Sequence, residues 1–252
     1  MANPFLINGE CSPQSIYAVT TEPTHKVGTR AVSEDGHVFY YASNTGAAAL
    51  AAGKLMIRPA LIPEHAEMDV TTGVAGSYTI TGITPGAVAG AANLYADGYC
   101  VVTDGAGEGH RYKVRSHAAI TASVAFDITL YDPIKVALDT NSTVTLLHNA
   151  YANPIISVAD QLDVPVGVPC VEIPIGSTTP QYGWLQTWGE CGVLQDEAVS
   201  VIGDALTIGT STVGALESDD TATTVSQEFI VGYTLTNAVD TEYSAVYLTI
   251  RP

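Results

Sequence analysis

The sequence predicts an all-β chain, built as two β-sandwich or barrel-like units with an extended N-terminal arm. Three observations predict this. Short β-branched and aromatic runs alternate with Gly, Pro, Asn and Asp along the whole chain, the pattern of a sandwich or barrel. Helix signals are almost absent. The one Ala-rich run, Gly46–Gly53, is bounded by glycines and is long enough for one or two turns at most. The first 35 residues hold few core-forming runs, and Pro4, Pro13 and Pro23 interrupt them.

The elements follow in order. Ser15–Thr20 reads as a strand within the arm, which spans residues 1–35. Strands are expected at His37–Ala42 and Leu55–Pro59. The next group comprises Ser77–Thr81, Gly98–Thr103, His110–Ser116, Val124–Tyr131 and Thr143–Leu147. The last comprises Val168–Ile173, Tyr182–Thr187, Leu206–Ile208, Gln227–Thr234 and Ala245–Ile250. In the final strand Val246, Leu248 and Ile250 alternate with Ala245, Tyr247 and Thr249, which gives one aliphatic face fit for a core. Residues 63–150 read as a compact inserted β unit. Residues 36–62 and 151–252 together read as the main one, an arrangement that folds tolerate when the loop ends lie close together.

Composition narrows the function classes. Charged residues make up 14% of the chain, against about 25% in typical domains. The surface is therefore expected to be rich in small, apolar and Thr side chains, suited to packing against other molecules. The net charge is −17. Residues 137–252 carry 14 acidic residues and one basic residue, Arg251. Such a chain lacks the Lys and Arg that phosphate backbones and anionic membranes require, so neither nucleic acid nor membrane is an expected partner. The start, Met1–Phe5, has no basic stretch followed by a long apolar run, and no segment approaches a transmembrane helix. Cys11, Cys100, Cys170 and Cys191 are scattered without a CxxC pair. They are expected to be free thiols in a reducing cytoplasm, with no metal bound.

Few motifs carry chemistry. Gly105-Ala106-Gly107-Glu108-Gly109 follows a strand but precedes a second alternating run, so it reads as a hairpin turn and not a phosphate loop. The six histidines match no metalloprotease, triad or nucleophile-elbow spacing. The acidic stretches Asp139–Asn141 and Glu217–Thr221 read as solvated turns, the second as an exposed loop tip. No catalytic residue and no cofactor is therefore expected. Three sets of residues are candidate contacts. Arg111, Lys113 and Arg115 share one strand face in the only basic cluster. Trp184 and Trp188 share a strand face in Tyr182–Gly189, as core or as an interface anchor. Phe5, Leu6, Ile7, Ile16 and Tyr17 are the apolar anchors of the arm.

Pro165-Val166-Gly167-Val168-Pro169 followed by Tyr182-Gly183-Trp184-Leu185-Gln186-Thr187-Trp188-Gly189 resembles a segment of tailed-bacteriophage virion proteins. Val38–Ala42 with Ala51–Leu55, Tyr95–Tyr99, and Gly105–Tyr112 with Leu130–Pro133 are similar to the same group. The resemblance spans about residues 30–235. It implies a virion structural protein, most specifically one that decorates and stabilises the capsid exterior, made in the host bacterial cytoplasm. The implied partners are the major capsid protein and further copies of the chain, as a homotrimer. It implies no catalytic residues. The alternatives are another virion part (tail tube, head–tail connector or fibre base) or a glycan-binding surface module.

Overall fold

The computed structural model describes residues 5–7, 10–11, 14–46, 48–158, 164–176, 178–196, 201–219, 229–237 and 239–252. For 5–7 and 10–11 it describes the backbone alone. The chain is nearly all β. Five strands come first: β1 (Phe5–Ile7), β2 (Glu10–Cys11), β3 (Arg30–Ser33), β4 (Val38–Asn44) and β5 (Met56–Ile57). Six follow: β6 (Met68–Asp69), β7 (Thr79–Ile83), β8 (Tyr99–Asp104), β9 (Arg111–His117), β10 (Phe126–Leu130) and β11 (Thr143–Leu147). Seven complete the set: β12 (Ile155–Ile156), β13 (Pro165–Pro169), β14 (Gln181–Leu194), β15 (Ala205–Ile208), β16 (Leu216–Ser218), β17 (Gly232–Thr234) and β18 (Tyr243–Thr249). The helical element among the described residues is one 3-10 turn, Pro63–His65. The described residues of Gly46–Gly53, a run expected to make one or two helical turns at most, form bends and turns instead. Leu50 pairs with Ile173 there, so sheet contacts override the alanine propensity.

The chain divides into two compact units, residues 60–149 and residues 1–59 with 150–252. The first is a six-stranded antiparallel sheet in the order β6-β11-β8-β9-β10-β7. Bridges between Asp69 and Thr84 and between Thr72 and Thr81 join its two ends, so the sheet is a nearly closed barrel. The run β11-β8-β9-β10 is a Greek key: three consecutive strands, with the fourth returning beside the first. Strict alternation sends Ile80, Val102, Val114, Ile128, Val144 and Leu146 inward, each at most 1% exposed. Bulges in β10 and β11 help coil the sheet. Gly98 permits the close approach of β11's end. A Cβ there would sit 2.1 Å from the Leu147 carbonyl oxygen.

The other unit is organised around β14. Gln186 pairs with Phe39 on one edge and Val168 on the other, and Trp188 pairs with Val38 and Thr249 in the same way. One edge therefore carries β4, and the opposite edge carries β13 and then β18. The sheet runs β16-β15-β17-β18-β14-β4-β3-β1-β2, with β5, β12 and β13 branching from it. One core packs Leu55, Val193, Leu206, Val231, Val246 and Leu248. Another packs Val38, Tyr40, Ala42, Met56, Ile173 and Leu185. The face of β18 expected to be aliphatic is the buried one.

All seven residues of β4 are buried, so both of its faces are covered. The second cover is residues 14–29, read from the sequence as part of the arm. Ser15–Thr20, expected as a strand, makes turns. A single bridge, Thr20 to Tyr182, ties it to β14. Gln14 explains why the segment lies down. It is 3% exposed, and its Oε1 accepts from Tyr41 Oη at 3.0 Å and Thr24 Oγ1 at 2.7 Å. Its Nε2 donates to the carbonyls of Ala18 and Tyr182. Nearer the start, β1 pairs with both β2 and β3, and β3 pairs with β4.

Candidate functional site

The basic cluster lies on β9. Alternation buries Tyr112 and Val114 in the barrel and turns Arg111, Lys113 and Arg115 outward, and a register shift against β10 at Arg115 then brings His117 inward. The Arg111 guanidinium stands over the Tyr99 ring, 5.2 Å from its centroid. Lys113 pairs directly across from Tyr99. The hairpin that aims this strand is the glycine run expected as a turn, with Gly105, Gly107 and Gly109 all at positive φ.

The tryptophans are not on one face, contrary to the alternation the sequence implies. Trp184 is fully buried with Ala31, Phe39 and Tyr41. Trp188 is half-buried on the opposite side, against the Val38–Leu185 core, and meets Tyr247 edge-on at 5.9 Å. A register shift between Gln186 and Trp188 inserts one residue relative to β4 and reverses the phase of everything after it. Gly189 follows, at φ 93°, where a Cβ would lie 2.3 Å from the His37 ring. The two indoles therefore form no shared platform for a sugar ring.

Of the arm candidates, Ile16 packs against the Trp184 cluster, and Tyr17 is 69% exposed. Phe5, Leu6 and Ile7 lie in β1, and their side chains fall outside the described residues. The acidic loop expected at Glu217–Thr221 is partly strand: Glu217 and Ser218 are buried in β16. The Glu217 carboxylate accepts from the Thr210 backbone N–H and hydroxyl, which stabilises its burial. Asp220 and Thr221 lie outside the described residues.

A cluster with no sequence signal gathers at one end of the barrel. Tyr95, fully buried, donates its hydroxyl to His65 Nδ1 at 2.6 Å. His65 Nε2–H donates to the Val88 carbonyl. His117 Nε2 accepts the Tyr95 backbone N–H at 3.0 Å, and its Nδ1–H donates to the Ala118 carbonyl. These partners fix the tautomer of each imidazole. The His148 ring lies 4.7 Å from that of Tyr95. Burial pushes His117 below, and Tyr95 above, their ordinary pKa values. Every ring nitrogen of His65 and His117 is committed inside the fold, so the arrangement is structural support for the 84–98 crossover. No group of three or more His, Cys, Asp or Glu side chains among the described residues has metal-binding geometry.

Cys100, Cys170 and Cys191 are free thiols. Burial raises the Cys100 thiol to about 12. Cys170 and Cys191 share a hydrogen bond that lowers the first and raises the second. Cys11 lies in β2, with its side chain outside the described residues. No helix among the described residues is long and apolar enough to cross a membrane. No family model, no curated protein and no solved structure matches the chain.

Proposed function

We propose that this chain is a non-enzymatic structural subunit that decorates and stabilises the capsid exterior of a tailed bacteriophage. The observation that carries the reading is where the phage-like segments fall. Val38–Ala42, Pro165–Pro169 and Tyr182–Gly189 form β4, β13 and β14, the centre of the larger sheet. The resemblance is therefore one of framework, as a family of structural subunits requires. The exposed surface supports it further. Large apolar side chains such as Val74, Tyr78, Val124, Ile202 and Tyr243 stand more than half exposed on both units, in a chain with only 14% charged residues. On a subunit seated on a shell, such side chains are available to be covered.

The test is reconstitution. Purified chain is added to particles stripped of it, and occupancy is read by electron microscopy and quantitative mass spectrometry. Saturable binding across the whole shell, with raised thermal stability of the particle, is the expected result. Binding confined to tails or to a single portal ring would replace this reading with a connector or tail role.

A further inference from the structure

We propose that the Arg111–Lys113–Arg115 stripe is a docking surface for the acidic surface of a second copy of the chain. The inference deepens the decoration reading and rests on it in one respect: a shell brings many copies side by side.

The stripe is unusual for this protein. The chain has nine Lys and Arg against 26 Asp and Glu. With carboxylates in such excess, a surface cation has many chances of an internal partner. Among the described residues, ion pairs join His37 to Asp35 and to Glu190. Arg111, Lys113 and Arg115 pair with no carboxylate among the described residues. They are nevertheless held in place. β9 is bonded on both edges, by β8 and by β10. The Tyr99 ring also supports the Arg111 guanidinium. Alternate residues of a strand lie about 7 Å apart, so three cations span about 14 Å. That spacing fits a row of carboxylates on an extended surface better than one small anion.

Charge complementarity chooses the occupant. Residues 60–149 hold nine acidic and four basic residues, a net of −5. The rest of the chain holds 17 and five, a net of −12. Every copy therefore carries both the stripe and a unit with a net charge of −12 to meet it. Nucleic acid fits less well. Three phosphate contacts release few counterions, and the remainder of the chain repels a polyanion. A stripe meeting a different patch on the next copy is a head-to-tail contact, which closes into a ring where the rotation allows. The attraction orients copies that otherwise repel, so it acts mainly on specificity and association rate.

The experiment is sedimentation equilibrium of the full chain, without particles, at low and high salt. The wild type is compared with R111Q/K113Q/R115Q and with Lys113→Glu. These side chains point to solvent, and urea unfolding confirms that the variants fold. The expected result is an oligomer that weakens with salt. Its association constant falls about tenfold in the triple variant, the scale of three exposed ion pairs. A wild type that stays monomeric, or variants that associate as tightly as wild type, would overturn the proposal. So would tight binding of a single-stranded oligonucleotide that the triple variant loses, since the stripe would then serve nucleic acid. Particle rebinding is read separately. Failure there with salt-sensitive self-association intact removes the decoration role and leaves the stripe.

Discussion

His37 Nε2 lies 2.9 Å from Glu190 Oε2, while its Nδ1 lies 2.8 Å from Asp35 Oδ1. One imidazole thus bridges the β3–β4 turn to β14. Each nitrogen faces a carboxylate oxygen, so the ring ties two acidic side chains together. That hydrogen bond, with a second from Ser33, holds the Asp35 carboxyl at about 2. His37→Ala is expected to return Asp35 most of the way to its ordinary 3.8, read by NMR titration of its side-chain carbon. An unmoved Asp35 would assign the effect to Ser33. Asp35 is depressed in the fold, so its contribution to stability is present above pH 3.8 and lost as pH falls toward 2. The group is half exposed, so solvent screening keeps that contribution small.

The barrel is expected to weaken in mild acid. His117 is buried neutral, so its folded pKa lies below the ordinary 6.5. The unfolded chain binds the proton more readily. Stability is therefore full above pH 6.5 and falls as pH drops below it. Hydrogen exchange of the β9 and β10 amides at pH 7 and at pH 5.5 tests this. Equal protection at both values counts against it.

Trp184→Ala is expected to cost about 3–5 kcal/mol in urea unfolding, as a fully buried indole leaves a cavity. Trp188→Ala is expected to cost clearly less, because that ring is half-buried. Iodide should quench the fluorescence of the Trp184→Phe variant, which retains Trp188, more than that of Trp188→Phe. Equal quenching of the two variants would count against the split, and the reverse order would contradict the burial of Trp184.

Gln14→Ala is expected to destabilise the larger unit by about 1–3 kcal/mol, the cost of stranding buried polar partners. Residues 14–29 should then become sensitive to limited proteolysis. A variant as resistant as wild type would show that backbone bridges alone hold the segment down.

Native-state alkylation is expected to modify Cys170 before Cys191 and Cys100. Cys170 has the lowered thiol of the bonded pair, and Cys100 is buried with its thiol near 12. Peptide mass mapping over time gives the order, and early labelling of Cys100 would contradict it.

Much of the architecture is legible in the sequence because strand alternation and turn chemistry are local. Thr143–Leu147 and the aliphatic face of β18 follow directly from period-two patterning, and the Gly105–Gly109 turn from its glycines. What is illegible depends on contacts far apart in the chain. β3 is a four-residue strand with no pattern of its own, formed because β4 offers it an edge. The split of Trp184 from Trp188 comes from one bulge, and no residue type announces a bulge. Glu217 reads as loop because its partner, Thr210, lies across a turn. The histidines at 65, 117 and 148 have no spacing to notice, and only the barrel brings them to Tyr95.

The fourteen-residue strand β14 gives the larger sheet a grain. Antiparallel ladder bonds lie perpendicular to the strands. A pull along β14 therefore shears the bonds to β4, β13 and β18 together, and none yields before its neighbours. A pull across it peels one pair after another. The plate is stiff along one axis and yielding across the other, so the direction in which tension reaches it matters as much as its size.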